Sequence, residues 1–196
     1  MVTKSLKIFS IFLLAGLLLF AADNGKTLKV GDKIPSFSAK NENGEVWQSN
    51  KVVGKKNLVV YFFPAAMTEG CIKQACAYRD TMDQIEDYNT KVVGVSGDSV
   101  ETLQVFKNEY MLKFTLLADP SGKIAKKFGV PVSGGGKTVK NIDGTLMEFK
   151  RGATFERWTF VINKEGKIVY KEENVLPGED SKNILKVIKN IESKDK

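Results

Sequence analysis

The sequence predicts an α/β protein, a single domain built on a mixed central β-sheet flanked by helices. Three observations carry this. "LVVYFF" (58–63) is a continuous apolar run rich in β-formers, as a strand buried on both faces requires. Strand-like and helix-like stretches then alternate along the chain. Finally, "RWTFVI" and "KIVYKE", joined by "NKEG", read as an antiparallel hairpin followed by one more helix. With 196 residues, 42% of them hydrophobic, the chain is long enough for one substantial core.

The first 22 residues are expected to lie outside that domain, which then covers 23–196. Lys4 and Lys7 precede an apolar run over 8–20, thirteen residues long. That suits the apolar stretch of a secretory signal and falls short of the ~20 needed to span a bilayer. Ala21 and Ala22 follow as small residues near a cleavage point, although Phe20 spoils the A-x-A pattern. A cleaved signal is the expectation, with a retained N-terminal anchor as its alternative. Export would place the mature protein in a periplasm or cell envelope, where disulfides persist.

Further along, "GEVWQS" reads as a short edge strand, and the buried strand 58–63 comes next. A helix is expected over about 68–88, then the strand "KVVGVSG" (91–97). Asp98, with Glu101 three residues on, offers an N-cap for a helix running to about Tyr110. "TLLAD" reads as a short strand and "SGKIAKKFGV" as a short helix ending at Gly129. "SGGGKT" (133–138) imitates a phosphate-binding loop, but Pro131 stands where that motif needs its first glycine. The Gly-rich 133–144 stretch is expected to be a flexible surface loop. The last helix, from about Asp180 to Glu192, shows Ile184, Leu185, Ile188 and Ile191 at helical spacing.

Composition excludes several functions. The net charge of +7 comes from scattered lysines, with no block of like charge, so no nucleic-acid partner is expected. The histidine count is zero, which rules out a Ser-His-Asp triad, a Cys-His pair and any histidine metal site. Two cysteines cannot make a four-cysteine zinc site, and no cofactor is expected.

Both cysteines lie in "FFPAAMTEGCIKQACAYRD" (62–80). Pro64 ends the buried strand, and Cys71 falls in the first turn of the helix that follows. Sites of open α/β sheets lie at this strand edge. Free N–H groups and the positive helix end favour a thiolate there. Thr68, three residues earlier, turns its hydroxyl toward the same spot or merely caps the helix. Cys71 and Cys76 as a structural staple is the competing reading, but a five-residue gap within one helix closes almost no loop.

The segment resembles the active site of the peroxiredoxins, P-x-x-x-T-x-x-C, and most of all their Q-type branch, the bacterioferritin comigratory proteins. Pro64, Thr68, Cys71 and Cys76 fall in register with it, and the likeness runs over about 28–192. It implies a thioredoxin-like fold and a thiol-dependent peroxidase acting on hydrogen peroxide and alkyl hydroperoxides. Cys71 would be the peroxidatic cysteine and Cys76 the resolving one, joined in a disulfide that a thioredoxin-like protein recycles. Thr68 and the Cys71 N–H would hold the peroxide, and Pro64 would shield the sulfur. Arg157, in "ERWTFVI", matches the family's arginine; Arg151 and Arg79 are weaker candidates, and Arg79 is expected to pair with Asp80 or Asp83. A monomer is expected. The rival functions are a protein thiol-disulfide oxidoreductase and an exported domain with a structural disulfide.

Helix geometry adds a consequence. Five residues along one α-helix separate Cα atoms by roughly 8.6 Å. A disulfide needs about 6.8 Å or less, so pairing requires the first turns to unwind.

Overall fold

The computed structural model describes residues 27–193. The leader read over 1–22 lies outside the described residues. Among these residues, no helix is long and apolar enough to cross a membrane.

Seven strands form one mixed sheet: β1 (Ser38–Asn41), β2 (Val46–Gln48), β3 (Asn57–Phe62), β4 (Thr90–Ser96), β5 (Thr115–Ala118), β8 (Thr159–Ile162) and β9 (Ile168–Glu172). Their order is β2-β1-β5-β4-β3-β8-β9. The β3–β4 and β4–β5 pairs are parallel, and the flanking pairs are antiparallel. The central position of β3 explains its unbroken apolar run. Val59 and Tyr61 face one core cluster, while Leu58, Val60 and Phe62 face the other.

Helices α1 (Glu69–Glu86), α2 (Val100–Glu109) and α4 (Asp180–Glu192) contribute to the first cluster; α3 (Lys123–Phe128) covers the other face. In α1 the buried residues Cys71, Ala75, Tyr78, Met82 and Ile85 recur at three- and four-residue spacing, so this stripe seats the helix on the sheet. Tyr78 stacks on Tyr61 of β3 with ring centroids 4.8 Å apart. In α4, Ile184, Leu185 and Ile188 face the core as their spacing predicts.

Two expectations are corrected. Ser99 rather than Asp98 caps α2, accepting a hydrogen bond from the Thr102 N–H at 3.2 Å. Asp98 is buried instead and is used elsewhere.

The stretch read as a flexible loop is β6 (Val132–Ile142), paired with β7 (Thr145–Phe155) in a long antiparallel ribbon. Asp143 and Gly144, at φ of 49° and 84°, make its two-residue turn, for which Asp-Gly is a favoured sequence. Two of the ribbon's glycines, Gly135 and Gly152, sit where another stretch of backbone approaches closely. A Cβ at Gly135 would stand 2.3 Å from the Arg151 carbonyl oxygen, and one at Gly152 2.4 Å from that of Pro120. Phe149 and Met147 pack the ribbon into the α2 side of the core.

Candidate active site

The C-terminal end of β3 delivers the chain into the site. The Phe63 N–H still bonds the Val95 carbonyl, so the strand stays pinned to β4 just before Pro64 turns it away. Residues 64–68 form a tight link in which Met67 takes φ of 65°, an uncommon conformation for a residue with a side chain. Asp98 holds this link: its Oδ2 accepts the Ala66 N–H at 2.8 Å. Burial pushes the Asp98 carboxyl up, against the hydrogen bonds it accepts and the nearby charge of Arg151.

Thr68 is the N-cap residue of α1, but its side chain makes no capping bond. Its hydroxyl donates to the Ala65 carbonyl at 2.9 Å. With that proton engaged, Oγ1 offers lone pairs to a donor at the mouth of the helix. Cys71 lies in the first turn, 2% exposed, and both cysteines are free thiols. The disulfide implied by the resemblance is therefore not formed here, and α1 holds Cys71 and Cys76 in one unbroken helix. Burial pushes the half-buried Cys76 thiol up, partly offset by Arg79. Arg79 pairs with Asp80 at 2.8 Å, as expected.

Arg157 reaches the site through β-pairing. Tyr61 pairs with Thr159, and the Phe62 N–H bonds the Trp158 carbonyl, so position 157 falls just beyond the end of β3. Its Nη2 stands 3.4 Å from Cys71 Sγ, and its Nη1 donates to Gln74 Oε1 at 2.6 Å. Gly70 leaves room for this: a Cβ there would sit 3.2 Å from Nη2. Arg151 instead bonds Thr154 and Thr138 within the ribbon. Trp158 and Phe160 are core residues.

Two residues to which the sequence assigns no role at the site complete the group. Gln74 passes its Nε2–H to Asp180 Oδ2 at 2.7 Å. The same oxygen accepts from Tyr78 Oη and Thr159 Oγ1, each at 2.8 Å. Burial pushes the Asp180 carboxyl up, while the bonds from Gln74, Thr159 and Tyr78 and the Arg157 charge work against it. Gln74 was findable, since three residues beyond Cys71 is the same helix face. Asp180, read only as a helix start, gave no local signal.

Among the described residues, no cluster of acidic, cysteine or histidine side chains is placed to hold a metal ion. The arrangement sets a buried cysteine sulfur in the first turn of a helix, beside a cation that cannot discharge. It suits attack on a small, polarisable bond that leaves an anion behind.

The AhpC/TSA family profile matches residues 30–171. The chain is 35% identical to "Peroxiredoxin Q, chloroplastic" of Triticum aestivum over 168 residues, which is 85% of this chain and 69% of that one. It is 37% identical to "Putative peroxiredoxin bcp" of Coxiella burnetii over 142 residues, 72% of this chain and 86% of that one. The crystal structure of peroxidoxin BcpB from Mycobacterium tuberculosis superposes with a TM-score of 0.70 at 27% identity, covering 84% of this chain and 98% of that one.

Proposed function

The chain belongs to the AhpC/TSA family, in its peroxiredoxin Q branch, and is a peroxidase; from that premise we propose that Cys71 reduces hydrogen peroxide and alkyl hydroperoxides. The observation that carries this is the Arg157 guanidinium 3.4 Å from the buried Cys71 sulfur. The Cys71 thiolate attacks one peroxide oxygen, the S–O bond forms and the O–O bond breaks. Water or an alcohol leaves once the departing oxygen has taken up a proton. The Cys71 N–H and Arg157 stabilise charge on that oxygen. Thr68 Oγ1 accepts the peroxide O–H, consistent with its own proton being committed to Ala65. Pro64, half-buried at the turn, limits access of bulk water.

The Cys76 sulfur then attacks the Cys71 sulfenic acid; the S–S bond forms and water leaves. A thioredoxin-like dithiol protein restores both thiols by exchange, becoming oxidised itself. The test is peroxide consumption with a dithiol donor. Cys71→Ser should abolish it, and Cys76→Ser should retain a single turnover and accumulate sulfenic acid. Equal loss in both at the first turnover would count against the two roles.

Residues 1–22 are proposed to be an export signal, so that the mature chain starts near Ala22 or Asp23 and acts outside the cytoplasm as a monomer. Intact mass of the protein recovered from its native host tests this. A mass that retains 1–22 would mean an anchor or no export.

A further inference from the structure

Building on the peroxidase reading, we propose that Asp180 is a positioning residue: its carboxylate orients the Gln74 amide, and the amide in turn fixes Arg157 against the Cys71 sulfur. The chain of contacts is continuous. Asp180 Oδ2 accepts from Gln74 Nε2 at 2.7 Å, Gln74 Oε1 accepts from Arg157 Nη1 at 2.6 Å, and Arg157 Nη2 stands 3.4 Å from Sγ.

The logic lies in the amide. It has one donating end and one accepting end. The guanidinium accepts no hydrogen bond and needs the oxygen; the carboxylate needs the N–H. Each ion therefore selects the orientation that the other requires. Were Asp180 replaced by a group indifferent to this, the amide could turn its NH2 toward Arg157, and the guanidinium would lose its anchor beside the sulfur.

Asp180 is itself held firmly. It is 3% exposed, and its Oδ2 takes two more donors, Tyr78 from α1 and Thr159 from β8. The neighbouring Ser181 hydroxyl ties the start of α4 to the Ala77 carbonyl of α1 at 3.0 Å. As a device for stability alone, a buried carboxylate is a poor choice, because its desolvation offsets much of what its bonds return. As a device for orientation it is apt. The neutral Gln74 keeps the negative charge one residue away from the reacting sulfur, so a carboxylate in its place shifts the midpoint of the pH profile while the plateau reports positioning. Gln74 also lies between the two cysteines in sequence, so unwinding that segment dismantles the relay.

Near-isosteric exchanges test this. Gln74→Glu sets two carboxylates against each other; adding Asp180→Asn restores a donor facing an acceptor. The first readout is the high-pH plateau of the rate of Cys71 oxidation by hydrogen peroxide in a single turnover. The second is the ¹⁵N–¹H spectrum of the Arg157 guanidinium in the reduced protein, which does not depend on activity. Gln74→Glu should lower the plateau roughly tenfold through misplacement of Arg157 and average the guanidinium signals. The double variant should recover both.

A folded double variant as impaired as Gln74→Glu would overturn the relay. So would a Gln74→Glu single variant with a shifted midpoint and an intact plateau, because that is the mark of charge without positioning. If Gln74→Glu fails to fold, Gln74→Met serves as the background, where Asp180→Asn should cost no further rate; an additional loss there overturns the relay. If the wild-type protein consumes no peroxide, the peroxidase reading falls, while the guanidinium spectra still decide the relay.

Discussion

Arg157 makes two directed contacts from one planar group, to Gln74 Oε1 and to Cys71 Sγ, and this limits what can replace it. Lysine keeps the charge but has no rigid fork with which to serve both atoms. Arg157→Lys is therefore expected to lower the second-order rate with hydrogen peroxide by roughly a hundredfold, the scale of a 1 Å misplacement. Stopped-flow oxidation measures it. A rate near wild type would move the role elsewhere, and Arg151, engaged with Thr154 and Thr138, would then need re-examination. Positions tied to a local pattern were legible at this scale. Cys71 follows a strand-ending proline at the opening of a helix, and Arg157 precedes the strand that pairs with β3. Asp180 was not legible, because its value lies in a bond to Gln74 across 106 positions of chain.

Helix α1 carries Cys71 and Cys76 within its unbroken span of Glu69–Glu86. On ideal geometry their Cα atoms are roughly 8.6 Å apart, beyond the reach of a disulfide. The proposed joining of the two sulfurs would then open residues 70–77 and break the Arg157–Gln74 and Gln74–Asp180 bonds. Amide hydrogen exchange over that span is expected to be markedly faster in the oxidised protein than in the reduced one. Exchange beyond Met82, where the helix stays seated on the sheet, should change little. Equal protection of 70–77 in both states would sink the idea. Among the elements, strands buried on both faces were readable because nothing but a run of β-forming apolar residues survives there. The β6–β7 ribbon reads as a loop for a physical reason: Gly135 and Gly152 lie within its strands because neighbouring carbonyls leave no room for a Cβ there. The Asp-Gly pair at 143–144, with both residues at positive φ, is the local mark of the hairpin.

At the scale of the whole molecule, three parts meet where the parallel strands end. The link into α1 hangs from Asp98 by the Ala66 N–H, and Asp98 lies two residues beyond the end of β4. The ribbon joins at the same point, through a bridge between Asp98 and Arg151 and through the Gly152 N–H on the Gly97 carbonyl at 2.9 Å. Burial holds the Asp98 carboxyl above the ordinary aspartate range. For an acid raised in the folded state, the fold binds more protons than the unfolded chain between the two values. Stability from this group is thus full at low pH and falls as pH rises from about 4, the ordinary aspartate value, through the raised one. Asp98→Asn removes that dependence while keeping an oxygen for the Ala66 N–H. The stability of wild type minus that of Asp98→Asn, measured by urea unfolding between pH 3.5 and 7.5, should therefore decline across that window and level off above it. A difference that grows with pH would mean that the hydrogen bonds the carboxylate accepts and the charge of Arg151 outweigh burial, and that the junction is held together by an ion.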